Sequence, residues 1–285
     1  MYTTLISADD LAAHIDDPNW LIVDCRHDLM NLAYGREAYA AGHLPHAVFA
    51  DMETELSGAK HGADGTFRGR HPLPSKDALV EVLRRWGVNG GTQVLAYDAH
   101  GGMYAARLWW LLRWLGHEAA AVLDGGLPAW QALGQPLSSD PPDPRSAGTI
   151  AVRAPFVPTV TVAEVLDNIE SAGRTVVDAR AADRFRGENE TIDPVGGHIP
   201  GAKNRFFKDN LHNDGRFKAP EQLREEFGAI VGDPKQAIMQ CGSGVTACHN
   251  LLALEVAGMP GAALYPGSWS EWSADPARPV ATGAD

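Results

Sequence analysis

Cysteine is scarce: Cys25, Cys241 and Cys248 are the only three in 285 residues. An odd, scattered set excludes a disulfide framework and suits a reducing compartment with at least one free thiol. For any one of them taken alone, the ordinary role is a small buried hydrophobe. Basic charge is also short, with 24 Lys and Arg against 36 Asp and Glu and a formal net charge of −12. That balance argues against a broad phosphate-binding surface, so nucleic acid is not an expected partner. A small anionic substrate stays possible, because a few arginines can dominate one pocket. Long apolar runs are missing too. The most hydrophobic stretch, Leu108 to Leu115, is short and broken by Arg113, so no membrane span is expected. The opening MYTTLISADDLAAH has neither the basic flank nor the apolar core of a signal peptide, and cytoplasm is the expected compartment.

What is present is ordinary globular composition, 45% hydrophobic and 21% charged with 30 Gly and 19 Pro, which excludes general disorder and collagen. The length predicts about two domains. An internal repeat makes that count specific. WLIVDCRHD precedes YAAGHLPHAVFAD near the start, and TVVDARAAD precedes VGGHIPGAKNRFF in the second half. Each copy has a β-branched strand ending in Asp-x-Arg (Asp24 and Arg26, then Asp178 and Arg180). Each follows it with a Gly-His-apolar-Pro turn, Gly42 to Pro45 and Gly197 to Pro200. Strand QVLAY leads through a Gly-containing loop to helix MYAARLWWLLRWLG; strand AIMQ leads through CGSGV to helix TACHNLLALEVAG. Both copies close with a Gly and a Trp five residues later, Gly125 to Trp130 and Gly267 to Trp272. A period of half the chain is a duplicated domain rather than a solenoid.

Between the copies, PLSSDPPDPRSAGT carries Pro141, Pro142 and Pro144 and forbids regular structure. The division predicted is 1–136 for a first copy without the key cysteine, 137–158 for the linker and 159–285 for a catalytic copy. Short apolar strands alternating with amphipathic helices give an α/β fold, each copy a mainly parallel central sheet flanked by helices. Ser7, Ser75 and Thr161 stand where helix N-caps are expected.

The copies differ most at one loop. After Tyr97 the first reads Asp98-Ala-His-Gly-Gly; after Gln240 the second reads Cys241-Gly-Ser-Gly-Val-Thr246 and then a helix. Gly242 and Gly244 let backbone N–H groups turn inward around the sulfur as an anion-binding nest. The following helix directs its positive end at the same point. Both effects favour thiolate over thiol. One copy keeps a nucleophile and the other lacks it.

The duplicated unit, the paired Asp-x-Arg and Gly-His-Ile-Pro-Gly-Ala elements and the loop CGSGVTACHN resemble two-domain sulfurtransferases of the rhodanese superfamily, from about Leu21 to Trp272. The resemblance implies a tandem rhodanese-like fold with no cofactor. It further implies that Cys241 takes a sulfane sulfur from a small anionic donor and passes it to a thiol, cyanide or thioredoxin-type acceptor. CGSGVT is similar to the 3-mercaptopyruvate type. Thiosulfate enzymes of the family carry cationic residues where this chain has Gly242 and Ser243, and thiosulfate remains the alternative donor. In the 3-mercaptopyruvate type, a loop Ser, a His and an acid act as a relay; the matching residues are Ser243, His71 in RHPLP, and either Asp51 or Glu53 in FADME. Gly242, Gly244, Val245 and Thr246 supply the donor-binding loop. By the same resemblance, the donor carboxylate is expected to fall to Arg184, with Arg186 close behind. Type members have a second arginine downstream, but here GENETIDPVGGH has none between Gly187 and His198.

Other readings are weaker. A cysteine phosphatase needs an arginine six residues after the nucleophile, where this chain has Ala247, and a thioredoxin-like reductase needs a second loop cysteine. A persulfide carrier serving a protein partner is the remote alternative. His43 and His198 recur in both copies and are expected to brace backbone, as are the two Asp-x-Arg pairs. His43 and His46 have no third ligand candidate nearby, so no metal is expected. Cys248 and Cys25 are expected to pack.

Overall fold

The computed structural model describes residues 1–142 and 144–284, and the chain divides into two compact units. The first comprises Met1–Ser57, Pro74–Phe156 and His212–Phe217; the second comprises Gly58–Leu73, Val157–Leu211 and the chain from Lys218 onward. Two segments thus pack away from their sequence neighbours. Gly58–Leu73, which includes His71, belongs with the second unit, and His212–Phe217 belongs with the first.

The first unit contains β1 (Leu5–Ile6), α1 (Ala8–Ala13), β2 (Trp20–Asp24), α2 (Tyr34–Ala41), β3 (Val48–Phe49), α3 (Lys76–Arg85), β4 (Gln93–Tyr97), α4 (Ala105–Trp114), β5 (Ala120–Leu123) and α5 (Gly126–Ala132). The second contains α6 (Val162–Ser171), β6 (Thr175–Asp178), α7 (Ala182–Arg186), β7 (Lys203–Asn204), α8 (Pro220–Val231), β8 (Ala237–Gln240), α9 (Thr246–Val256), β9 (Ala263–Leu264) and α10 (Ser268–Trp272). Every named strand pair is parallel. The order β3-β2-β4-β5 of the first sheet repeats as β7-β6-β8-β9 in the second. An added edge strand, β1, pairs with β5; Thr159 makes the matching parallel bridge to Leu264. Parallel strands buried on both faces read as continuous apolar runs, as LIV and VLA do here.

The repeated motifs are the same physical device twice. Arg26 forks onto the Asp24 carboxylate (Nη2 to Oδ2, 2.6 Å) and donates to Gly42 O at 2.7 Å; Arg180 does so to Asp178 at 2.6 Å and Gly197 O at 2.6 Å. His43 stacks on Tyr39 and His198 on Phe185, with Nδ1 against the carbonyls of Tyr39 and Phe185. Trp130 Nε1 donates to Pro136 O and Trp272 Nε1 to Pro279 O, each at 2.9 Å. These buried charges and rings are all partnered, which is the condition for carrying them inside a core.

Ser7, Ser75 and Thr161 do cap α1, α3 and α6, the last with a reciprocal Glu164 capping box. In α4, Trp109 and Trp110 are fully buried among the first unit's core. The described residues of the proline-rich segment form no helix or named strand, yet its end and the residues after it are pinned to the first unit: Gly148 N donates to Arg84 O, Ile150 N to Val88 O and Arg153 N to Leu115 O. Asp143 within it lies outside the described residues. No helix among the described residues is long and apolar enough to cross a membrane.

Candidate active site

Register identifies the equivalent loops. Asp24 pairs with Tyr97 in the first sheet and Asp178 with Gln240 in the second, so the next residues, Asp98 and Cys241, occupy matching positions. In the first unit the loop after β4 wraps its own anion. Asp98 Oδ1 accepts from the amides of His100 (2.7 Å) and Gly102 (2.9 Å), and Oδ2 from those of Tyr104 (2.8 Å) and Ala105 (3.0 Å). The first copy has therefore not merely lost a nucleophile. Its nest is filled by a carboxylate from its own chain.

In the second unit the same position holds sulfur. Cys241 is 2% exposed, at the carboxyl end of β8 and ahead of α9. Among the described residues, the amides of Gly242, Ser243 and Val245 have no hydrogen-bond acceptor, and they lie just before the positive end of α9. Gly244 has φ of +76°, and a Cβ there would lie 2.4 Å from Pro266 O, so only glycine makes this turn. Thr246 opens the helix and Val245 sits at its N-cap. Ser268 anchors the loop from behind: its Oγ accepts from Cys241 N at 3.1 Å and donates to Tyr265 O at 2.9 Å. Ser268 itself is a fully buried non-glycine residue at φ of +53°, a strained conformation retained next to the sulfur.

Ser243 Oγ lies 2.7 Å from His71 Nδ1, and both residues are buried. This pair joins residues 172 positions apart, because Gly58–Leu73 packs into the second unit. Arg70, beside His71, was not among the residues expected at the site. Its amide donates to Ser270 Oγ at 3.1 Å, and a Cβ on Gly242 would lie 2.8 Å from its Nη2 and 3.9 Å from both terminal nitrogens of Arg184. Arg70 Nη1 pairs with Asp193 Oδ1, and Arg184 Nη2 reaches Asp193 Oδ2 at 3.2 Å. Arg184 also holds Glu190 through Nε (3.0 Å) and Nη2 (2.9 Å). A cation thus stands beside the loop although GENETIDPVGGH contains no arginine. The signal was the Arg immediately before His71 in GRHPLP.

Arg186, grouped with Arg184 in the sequence, is engaged elsewhere. It forms a two-point pair with Glu188 (2.8 and 2.7 Å) at the surface. Residues two apart on a helix face different directions, which separates it from Arg184. Asp51 and Glu53 both lie in the first unit. Asp51 closes a turn by accepting from the amides of Glu53 (3.0 Å) and Thr54 (3.1 Å), and pairs with Arg36 at 3.1 Å. Glu53 Oε1 lies 3.9 Å from His27 Nε2.

The other thiols have different surroundings. Burial, followed by the charges of Asp24, Asp98 and Glu55, pushes the Cys25 thiol well above its ordinary range, so it stays protonated and inert. Cys248 is fully buried with Sγ 3.3 Å from Gly244 O.

The model of the rhodanese-like domain matches residues 7–133 and again 161–275. The chain belongs to the rhodanese family of sulfurtransferases. It is 46% identical over 283 residues to a Pseudomonas aeruginosa protein named "Probable 3-mercaptopyruvate sulfurtransferase", covering 98% of each. It is 34% identical over 282 residues to thiosulfate sulfurtransferase of Mus musculus, covering 95% of this chain and 92% of the other. Among solved structures, 3-mercaptopyruvate sulfurtransferase from Leishmania major matches at a TM-score of 0.83 and 32% identity, over 95% of this chain and 74% of that one. This rhodanese-family chain therefore has the duplicated α/β architecture and the class of activity, sulfur transfer, that its sequence motifs resemble.

Proposed function

We propose that this sulfurtransferase takes sulfur from 3-mercaptopyruvate onto Cys241 and delivers it to a thiophilic acceptor: a thiol, cyanide or a thioredoxin-type protein. The carrying observation is the Cys241 loop, a buried sulfur among unengaged amides with the Ser243–His71 hydrogen bond beside it. The Cys241 thiolate attacks the donor's sulfur. A sulfur–sulfur bond forms, the donor's carbon–sulfur bond breaks, and its electron pair passes to the carbon of a pyruvate enolate. The donor's thiol proton travels to that carbon through Ser243 and His71, whose 2.7 Å contact is within proton-transfer reach. The products are pyruvate and a Cys241 persulfide anion. The acceptor then attacks the outer sulfur and releases the Cys241 thiolate.

The filled nest around Asp98 supports the loop's role, because the equivalent backbone of the same chain accepts an anion through four amides. Arg184 receives the donor carboxylate. The three buried free cysteines suit a reducing compartment, and we assign the cytoplasm.

Thiosulfate is the second reading, favoured by the Arg70 guanidinium against Gly242, where a sulfonate would need positive charge. Initial rates with both donors, each with a thiol and with cyanide, separate them. A kcat/KM for 3-mercaptopyruvate at least about tenfold above thiosulfate is expected, a difference of about 1.4 kcal/mol. The reverse order would replace the donor, and absence of transfer from both would overturn the function.

Two variants test the roles. Ser243→Ala is expected to lower kcat with 3-mercaptopyruvate by about 10²-fold, the scale of a lost proton-transfer group. Thiosulfate turnover should fall much less, since departing sulfite needs no proton on carbon; equal losses would remove Ser243 from the relay. Arg184→Ala is expected to raise KM for 3-mercaptopyruvate at least about tenfold through loss of a charge-assisted pair. An unchanged KM would contradict its binding role.

A further inference from the structure

Arg70, Asp193, Arg184 and Glu190 form one alternating chain of charges beside the Cys241 loop. Asp193 is its centre. Its side chain is 2% exposed, although its neighbours Ile192, Pro194 and Val195 are exposed on the turn that carries it. The two carboxylate oxygens are divided between two guanidiniums, Oδ1 to Arg70 and Oδ2 to Arg184. Both of those guanidiniums stand near Gly242. A carboxylate bridging two arginines beside a nucleophile has the chemistry of a bound carboxylate donor.

We infer that Asp193 is a resident occupant of the donor-carboxylate seat, that the donor binds by exchanging its carboxylate for that of Asp193, and that Arg70 is the clamp's second arm. This rests on the proposed carboxylate donor and on Arg184 as its receiver. Charge requires the exchange. Arg70 and Arg184 are already balanced by Asp193 and Glu190, so a further buried carboxylate would be unpaired unless one acid leaves.

Asp193 is the acid able to leave. Glu190 accepts from the amides of Ile192 (2.9 Å) and Asp193 (3.0 Å), binds Arg184 at two points and reaches Arg180 at 3.4 Å. Burial works against its charge, but those amides and Arg184 hold its carboxyl below the ordinary range. Among the described residues, the Asp193 carboxylate has only the two arginines as partners, and burial outweighs them and lifts its carboxyl. Behind the turn, Trp269 Nε1 donates to Val195 O at 2.9 Å, so the segment has a fixed support while the Asp193 side chain exchanges. Arg70 is also only partly used: its buried Nε has no hydrogen-bond partner among the described residues.

Exchange makes the site selective. A tethered carboxylate acts at an effective concentration of about millimolar or above, so simple carboxylates lacking a further attachment are kept out. Donor affinity is reduced by the fraction of molecules whose seat is filled.

The experiment measures persulfide formation from 3-mercaptopyruvate by wild type, Asp193→Ala, Asp193→Glu and Arg70→Gln, with acetate titrated against chloride at constant ionic strength. In Asp193→Ala, KM is expected to fall about tenfold, as emptying a seat filled in nine molecules of ten would give. Acetate should become a competitive inhibitor of that variant and leave wild type unaffected, while Asp193→Glu restores acetate resistance. Arg70→Gln should raise KM. A KM in folded Asp193→Ala that is unchanged or higher, or acetate acting no differently from chloride, overturns the exchange. If Asp193→Ala does not fold, Arg70→Gln decides: an unchanged KM overturns the clamp. If wild type forms no persulfide from 3-mercaptopyruvate, the proposed donor is wrong, and calorimetry with acetate judges the seat separately. Binding to Asp193→Ala alone upholds it, and binding to neither protein overturns it.

Discussion

Cys241→Ser is expected to reduce sulfur transfer by at least about 10⁴-fold, to the background of the assay, with either donor and any acceptor. The reason is twofold. A serine hydroxyl is a far weaker acid than a thiol and is not ionised at neutral pH, and oxygen cannot hold a sulfane sulfur as a transferable group. The fold should be unaffected, because the serine keeps the size of a residue whose backbone is fixed by Ser268 and α10. Steady-state rates beside a thermal melt check this. Retained turnover with intact folding would move the persulfide to another thiol. Cys25, held protonated by burial and neighbouring carboxylates, is poorly suited to take over.

The second large effect falls on stability. Asp98→Ala removes the carboxylate that satisfies four backbone amides inside the first unit and leaves those donors facing an empty nest. The amides of Gly102 and Ala105 are buried and those of His100 and Tyr104 part-buried; each buried unsatisfied donor costs on the order of 1–3 kcal/mol, and water entering the space recovers part of it, so a loss of about 2–5 kcal/mol is expected. Asp98→Asn should cost less, because its remaining oxygen still accepts from two amides, although its NH2 is a donor and leaves the other two unsatisfied. Denaturant unfolding of the three proteins checks the order wild type, Asn, Ala. Equal stability of Asp98→Ala and wild type would contradict the account of the first loop as a filled nest.

The two loops explain why the duplication is so legible in the sequence. Strand, turn and cap signals are local, so the Asp-x-Arg pairs, the Gly-His-apolar-Pro turns and the Ser7, Ser75 and Thr161 caps are written in short stretches. Cys241, Ser243 and Gly244 share one such stretch and are equally readable. Arg70 and Asp193 are not, since they meet across 123 positions and neither has a local pattern. The expected second arginine is absent downstream of Gly187, yet a guanidinium from the opposite side of the sequence stands by Gly242. Arg186 shows the converse: adjacency to Arg184 in sequence suggests a shared role, while on the helix its guanidinium pairs with Glu188. Asp51 likewise has partners that no sequence pattern announces: it accepts from the amides of Glu53 and Thr54 and pairs with Arg36.

Transfer through a persulfide requires that sulfur be carried covalently on Cys241. Mass spectrometry of the protein after brief exposure to 3-mercaptopyruvate without acceptor, followed by peptide mapping, tests it most directly. The mass of one added sulfur atom is expected, located on the peptide containing Cys241, lost on addition of cyanide and absent from Cys241→Ser. An unmodified protein, or sulfur found on Cys25 or Cys248 instead, would contradict it.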